Sequence, residues 1–223
     1  MNLPNAITVG RILIAPLIAV LPFVTSPTVR LAAFVIYIVA AVSDYVDGKL
    51  ARTHDLVTEL GSLLDPFADK LLLLATFIPM FVLMSPRNDP LAPTPDAISS
   101  AHGFPFITPF GEVGLSWWIV AIVLGRELFM TVFRQLAARR GVVISAIGAA
   151  KWKTGFQYVW VGAAYFWFFA VSLATANGWT GDYWRAFAYF NGAVGVVTML
   201  SAVVLTIYSL ALYVQRYGRV FAT

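Results

Sequence analysis

The sequence predicts an all-α integral membrane protein of six transmembrane helices, with both termini on the cytoplasmic side. Hydrophobic residues make up 60% of the 223 and charged residues only 12%, against about 45–50% and 25% in soluble domains. Mean hydropathy is +0.80. Six apolar runs are long enough to cross a hydrocarbon core, which takes about 20 residues each. The cations between those runs are unevenly divided. Together these features exclude a water-soluble enzyme.

The runs fall at 8–25, 31–53, 60–84, 115–138, 153–175 and 187–214. Between the third and fourth, "SPRNDPLAPTPDAISSAHGFPFITPFGEVG" is rich in Pro and polar residues and reads as a long loop with no motif. The fifth and sixth runs are aromatic-rich and read as lipid-facing or dimer surface. Trp117, Trp118, Trp179 and Trp184 read as interfacial anchors. No repeat or soluble domain interrupts the chain, so residues 1–223 form one membrane domain. The first ten residues lack Lys and Arg, and no small-residue cleavage site follows, so no removable signal peptide is expected.

Orientation follows from the cations, because loops rich in Lys and Arg stay cytoplasmic. With the N-terminus inside, the inner ends collect Arg11, Lys49, Arg52, Arg139, Arg140, Lys151, Lys153, Arg216 and Arg219, against Arg30, Arg87 and Arg185 outside. Lys70, Arg126 and Arg134 fall within the runs themselves. A cation there is costly and marks function.

Cysteine is absent and only His54 and His102 are present. Thiolate chemistry, disulfides and His-based metal clusters are thereby excluded or disfavoured, and any metal would be held by oxygen. Nothing in the charge pattern suggests a nucleic-acid partner. His54 and His102 read as polar loop residues.

The stretch "DYVDGKLARTHDLVTELGSLLDPFADK" holds six of the eleven acidic residues, at the inner ends of the second and third runs. Asp55 and Glu59 fall in a polar turn and read as solvated. Asp44 and Asp47 are three apart, so they share a helix face. Gly48 and Ala51 extend that face with small side chains, and Arg52 follows. Gly61, Asp65 and Asp69 form a second stripe at intervals of four. Gly within a helix costs about 1 kcal/mol relative to Ala, so close approach of a ligand or of another helix is expected at these glycines.

Four acids facing one another across two helices need compensation, because an unpaired buried carboxylate costs several kcal/mol. Protonation, pairing with Arg or Lys, or divalent cations could supply it. Only Lys70, Arg126 and Arg134 are counted at similar depth. Divalent metal is therefore favoured, with two ions sharing the four carboxylates.

The full spacing is D-x2-D-G-x2-A-R-x8-G-x3-D-x3-D, met by Asp44, Asp47, Gly48, Ala51, Arg52, Gly61, Asp65 and Asp69. It resembles the signature of the CDP-alcohol phosphotransferases, six-helix membrane enzymes that form homodimers. The resemblance implies two divalent cations, Mg²⁺ or Mn²⁺, held by Asp44, Asp47, Asp65 and Asp69 against the pyrophosphate of a CDP-linked lipid. It further implies that Asp69 takes the proton of the attacking hydroxyl, that Gly48, Ala51 and Gly61 leave room for the nucleotide, and that Arg52 pairs with its phosphates. "LPNAITVGR" is similar to the family's short amphipathic entry segment, which puts Asn5, Thr8 and Arg11 on the nucleotide side. N-caps and a juxtamembrane charge would also account for those three.

The acceptor is read from the cations. "GRELFMTVFRQLAARRG" places Arg126 and Arg134 eight apart, with Glu127 able to pair with either, and "SAIGAAKWKTGFQ" adds Lys151 and Lys153. Four converging cations suit an anionic acceptor, whereas Arg139 and Arg140 are explained by topology alone. These stretches, with "DPFADK", resemble the phosphatidylglycerophosphate synthase branch of the family. In that branch sn-glycerol 3-phosphate attacks CDP-diacylglycerol, giving phosphatidylglycerol phosphate and CMP. The expected location is the cell (inner) membrane, with the active site facing the cytoplasm. Another acceptor alcohol, such as inositol phosphate, serine or phosphatidylglycerol, is the alternative within the family. From a different class, acids within a membrane could line a divalent-cation path, but none lies in the last two runs to complete one.

Overall fold

The computed structural model describes residues 3–53, 59–84, 103–142, 144 and 148–218; within its helices, the side chains of 3, 4, 45, 47–53, 59, 60, 62 and 63 are left out. Six helices dominate: α1 (Leu3–Val20), α2 (Pro27–Thr53), α3 (Glu59–Met84), α4 (Trp117–Arg139), α5 (Gly148–Asn177) and α6 (Asp182–Tyr217). One 3₁₀ turn, Leu21–Phe23, follows α1. Pro27 opens α2, where its fixed φ suits the first helical position and its missing N–H costs nothing. Gly178, at φ +65, stops α5 in the left-handed conformation that glycine adopts freely.

Among the described residues, five helices are long and apolar enough to cross a membrane: the spans Asn5–Phe23, Pro27–Asp44 and Leu64–Met84, and all of α5 and α6. The 23-residue α4 is long enough, but every stretch that could serve as its span contains Arg126, Glu127 and Arg134. Leu128, Phe129, Val132 and Leu136 are exposed along it, as are Arg134 and Gln135.

The amphipathic entry segment expected ahead of the first span does not stand apart. It forms the first turns of a continuous α1, in which Asn5, Thr8 and Arg11 are buried while Leu13, Leu17 and Val20 are exposed. Spacing of three to four residues puts the polar trio on one inward face, and nothing breaks the helix between it and the apolar turns.

The fifth run also departs from expectation. Rather than supplying lipid-facing surface, α5 is the central helix, with Trp160, Tyr165, Trp167 and Phe168 at 0–1% exposure. It packs against α2, α3 and α6. A helix that is apolar all round belongs inside, and this one carries its bulk there. Phe77 meets Trp160 edge-on at 5.1 Å, and Tyr37 stacks on Tyr165 at 5.4 Å. Trp117, Trp118 and Trp179 are exposed as anchors should be, whereas Trp184 stacks on Trp167 at 5.6 Å.

Arg30, counted as an outer-loop charge, lies buried in the first turn of α2. Its Nε donates to Pro22 O at 3.0 Å, Nη1 donates to Ser172 Oγ, and the guanidinium sits 4.5 Å from the Phe104 ring centroid. The long loop, expected to be featureless, contains an antiparallel hairpin, β1 (Phe106–Thr108) with β2 (Gly111–Val113). Its ends are tied to the last turn of α3, with Phe104 N donating to Leu83 O and Leu115 N to Met84 O.

The hairpin seats against α6 at two glycines. A Cβ on Gly192 would stand 1.9 Å from Ile107 O, and one on Gly195 would stand 2.3 Å from Phe106 Cζ. The first clash is with backbone and cannot be relieved by a rotamer change. Gly192→Ala is therefore expected to destabilise the protein by about 1–3 kcal/mol, the usual cost of overpacking. Its melting temperature in detergent should fall, and an unchanged melt would mean that the hairpin is not held against α6.

Candidate active site

The start of α1, the end of α2, the start of α3, the middle of α4, the start of α5 and the end of α6 converge at one end of the bundle. Helical periodicity brings the polar residues there onto inward faces. Arg11, 2% exposed at its side chain, lies between two acids: Nη1 donates to Asp44 Oδ1 and, at 3.0 Å, to Asp69 Oδ1. Thr8, one turn earlier, donates its hydroxyl to Asp65 Oδ1 at 2.7 Å. The α1 face thus supplies a cation and a donor to three acids on α2 and α3.

Counting cations within the spans had left Arg11 out. It provides part of the compensation that the cluster needs, since a buried acid is tolerated when charge-paired and hydrogen-bonded. The two acids it joins differ in setting. Asp44 is 25% exposed at its side chain and Asp69 is 57% exposed. Asp65 is exposed and Gly61 buried. The side chains of Asp47, Gly48, Ala51 and Arg52 lie outside the described residues, as do Asp55 and the Glu59 side chain.

Among the described residues, no three Asp, Glu or His side chains gather as a metal-ligand set. The donor chemistry fits a hard divalent cation all the same. Asp44 and Asp69 approach the same guanidinium nitrogen, so their carboxylates converge, and carboxylate oxygens are the ligands that Mg²⁺ and Mn²⁺ prefer.

Beyond the acids lies a second charged cluster. Glu127 Oε1 accepts from Arg126 Nη1 at 2.9 Å and from Lys153 Nζ. Of the two partners that the sequence offered, Arg126 pairs with Glu127, and Lys153 of α5 is a second partner that it did not offer. Arg126 and Lys153 are buried, whereas Arg134 and Lys151 are exposed. Arg126 Nη2 reaches Ser209 Oγ at 3.4 Å, and the guanidinium carbons of Arg126 and Arg134 each lie 6.0 Å from the Tyr213 ring centroid. Lys70 Nζ turns back to Pro66 O at 3.2 Å on its own helix.

One cavity of about 1300 Å³ joins the two clusters. Its polar wall holds Asp44, Asp69, Arg126, Arg134, Lys151 and Lys153. Its apolar wall runs up α2, α5 and α6 past Phe34, Ile38, Val159, Phe166 and Phe190. A smaller chamber of about 170 Å³ shares Asp44, Asp69, Glu127 and Lys153 with it. A site with Asp44 and Asp69 at one side, cations bonded to Glu127 at the other and a long apolar flank suits a charged headgroup carried on acyl chains.

Two side chains at the junction went unremarked in the sequence. Tyr158 donates its hydroxyl to Asp44 Oδ2 at 2.6 Å, and Tyr37 donates to Tyr158 O at 2.9 Å. Tyr37 precedes Asp44 by seven residues, and Tyr158 follows Lys151 by seven. That interval of two turns was the available signal.

A sequence model of the CDP-alcohol phosphatidyltransferase family matches residues 1–208. The chain is 32% identical over 174 residues to the CDP-diacylglycerol–glycerol-3-phosphate 3-phosphatidyltransferase of Bacillus subtilis (strain 168), covering 73% of this chain and 75% of that protein. It is 30% identical over 164 residues to the probable phosphatidylglycerophosphate synthase of Mycobacterium tuberculosis (strain ATCC 25618 / H37Rv), covering 72% of this chain and 64% of that one. It is also 30% identical over 161 residues to the cardiolipin synthase (CMP-forming) of Oryza sativa subsp. japonica, covering 70% of this chain and 43% of that one. The matched region is thus under two thirds of the length of the last two.

Proposed function

Because the chain belongs to the CDP-alcohol phosphatidyltransferase family, we propose that it transfers the phosphatidyl group of CDP-diacylglycerol to sn-glycerol 3-phosphate. The products are phosphatidylglycerol phosphate and CMP. The observation that carries the reading is the single cavity in which Asp44 and Asp69 face Arg126, Arg134, Lys151 and Lys153 beside an apolar wall. The names of the bacterial relatives support the acceptor.

In this reading the acceptor's free hydroxyl attacks the phosphorus of the phosphatidyl group, and the bond to the CMP oxygen breaks. Asp69 takes the hydroxyl proton, and its exposed carboxylate is open to the cavity side from which the acceptor comes. A carboxylate is a weak base toward an alcohol, so positioning has to carry much of the barrier. Arg126, Arg134, Lys151 and Lys153 hold the acceptor phosphate, and Glu127 keeps the two buried cations in place. Asp44, Asp47, Asp65 and Asp69 would hold two Mg²⁺ or Mn²⁺ ions, which when bound neutralise the pyrophosphate and the departing CMP.

Gly48, Ala51, Arg52 and Gly61, with Asn5 and Thr8, are assigned to the nucleotide. Arg11, bonded to Asp44 and Asp69, stands where both the acids and an incoming pyrophosphate need a counter-charge. We assign α4 as a sixth crossing whose charges face the cavity, and residues 1–223 to one domain. Both termini and the site are placed on the cytoplasmic side of the cell (inner) membrane, with the protein as a homodimer.

The test is CMP release from CDP-diacylglycerol by purified protein in detergent with Mg²⁺, across glycerol 3-phosphate, inositol phosphate, inositol, serine and phosphatidylglycerol. Release with glycerol 3-phosphate alone is expected. Release only with phosphatidylglycerol would favour the second reading, which the rice relative motivates. No release with any acceptor would remove the proposal.

A further inference from the structure

We infer that Tyr158 is a positioning residue that holds the Asp44 carboxylate in the orientation phosphatidyl transfer requires. The inference rests on the transfer reading above and extends it to a residue outside the acidic signature. Asp44 is held at both oxygens by different helices: Oδ1 by Arg11 of α1 and Oδ2 by the Tyr158 hydroxyl of α5, at 2.6 Å. A carboxylate's terminal torsion is broad and roughly two-fold, and donors on opposite sides select one setting. Asp69 is treated differently, with more than half of its side chain open. One acid of the pair is clamped and the other is exposed to the cavity.

Tyr158 is itself fixed. Its carbonyl accepts the Tyr37 hydroxyl at 2.9 Å, and Tyr37 is 1% exposed on α2, two turns before Asp44. Helices α2 and α5 are therefore pinned at two levels, by Tyr37 to Tyr158 O and by Tyr158 to Asp44. The buried Tyr165 provides the contrast. Its hydroxyl is spent on the main-chain carbonyls of Ile18 at 3.0 Å and Ala75 at 3.3 Å, a purely structural use. The Tyr158 hydroxyl instead meets a carboxylate on the wall of both chambers.

The experiment compares wild type, Tyr158→Phe and Tyr37→Phe as purified full-length protein in detergent. Mn²⁺ binding is read by electron paramagnetic resonance without substrate, then kcat and both KM values are measured. Removing a bond that orients a metal ligand weakens metal binding by about 10- to 100-fold. Tyr158→Phe should therefore raise the Mn²⁺ Kd by at least about tenfold and lower kcat similarly, with the KM for glycerol 3-phosphate unchanged. Tyr37→Phe, which leaves the Asp44 bond in place, should bind Mn²⁺ nearly as wild type does. Wild-type Mn²⁺ affinity and kcat in Tyr158→Phe would overturn the inference, as would a lowered melt with unchanged Mn²⁺ affinity, which marks packing alone. A wild-type protein that neither binds Mn²⁺ nor releases CMP would instead overturn the transfer reading, and this inference with it.

Discussion

Asp69→Asn is expected to lower CMP release by about 10²- to 10⁴-fold, the range contributed by a positioned general base, while the protein folds normally. The amide matches the carboxylate in size, and its oxygen can still accept from Arg11 Nη1, which lies 3.0 Å from Asp69 Oδ1. It cannot take a proton from an attacking hydroxyl. Stability should not suffer, because Asp69 shares Arg11 with Asp44 and removing one of two like charges relieves repulsion. Parallel melting curves with collapsed turnover would support the role. Activity within about tenfold of wild type would take Asp69 out of the proton transfer. Asp55→Asn and Glu59→Gln serve as comparison substitutions and should leave turnover near wild type; a large loss from either would mean that the site extends to those positions.

What the sequence made legible was the part written in local periodicity. An interval of four residues places Asp65 with Asp69 on a single face of α3, and such an interval survives in any helix long enough to hold it. Arg126 was legible as a cation too deep for solvent, whereas Arg134, read in the same way, is exposed, and Lys153, read as an inner-end charge, is buried. Which acid each cation meets was not legible. Arg11 finds its acids 33 and 58 residues away, and Tyr158 finds Asp44 at a separation of 114. Contacts of that kind depend on how helices pack, and a residue's neighbours in sequence do not encode them. The role of α5 was readable in principle. Its aromatic and small residues run round the whole circumference, the mark of an enclosed helix, but in a chain of membrane spans every helix is apolar and the mark loses contrast. The hairpin left less signal still, since strands of three residues are too short for alternation to register.

The largest effect on acceptor binding is expected from Lys153→Ala. A charge-assisted hydrogen bond to phosphate contributes about 1.5–3 kcal/mol, so the KM for glycerol 3-phosphate should rise by about 10- to 100-fold. The KM for CDP-diacylglycerol should stay close to wild type. Lys153 is 4% exposed and bonded to Glu127, so its removal leaves that acid with Arg126 alone at 2.9 Å. Breaking one partner of a buried pair can itself cost about 3–5 kcal/mol, and a lowered melt could mask the binding effect. Arg134→Ala separates the two. Arg134 is exposed and lies 6.0 Å from the Tyr213 ring centroid, so its removal should cost little stability. It also lines the same cavity wall. If the cations hold the acceptor phosphate, Arg134→Ala raises the acceptor KM with an unchanged melt, by a smaller factor than Lys153→Ala because its charge is better screened. If both variants keep the wild-type KM, the acceptor carries no charge that these residues read. The basic wall then serves topology, and the Asp44–Asp69 chemistry must be paired with an uncharged alcohol.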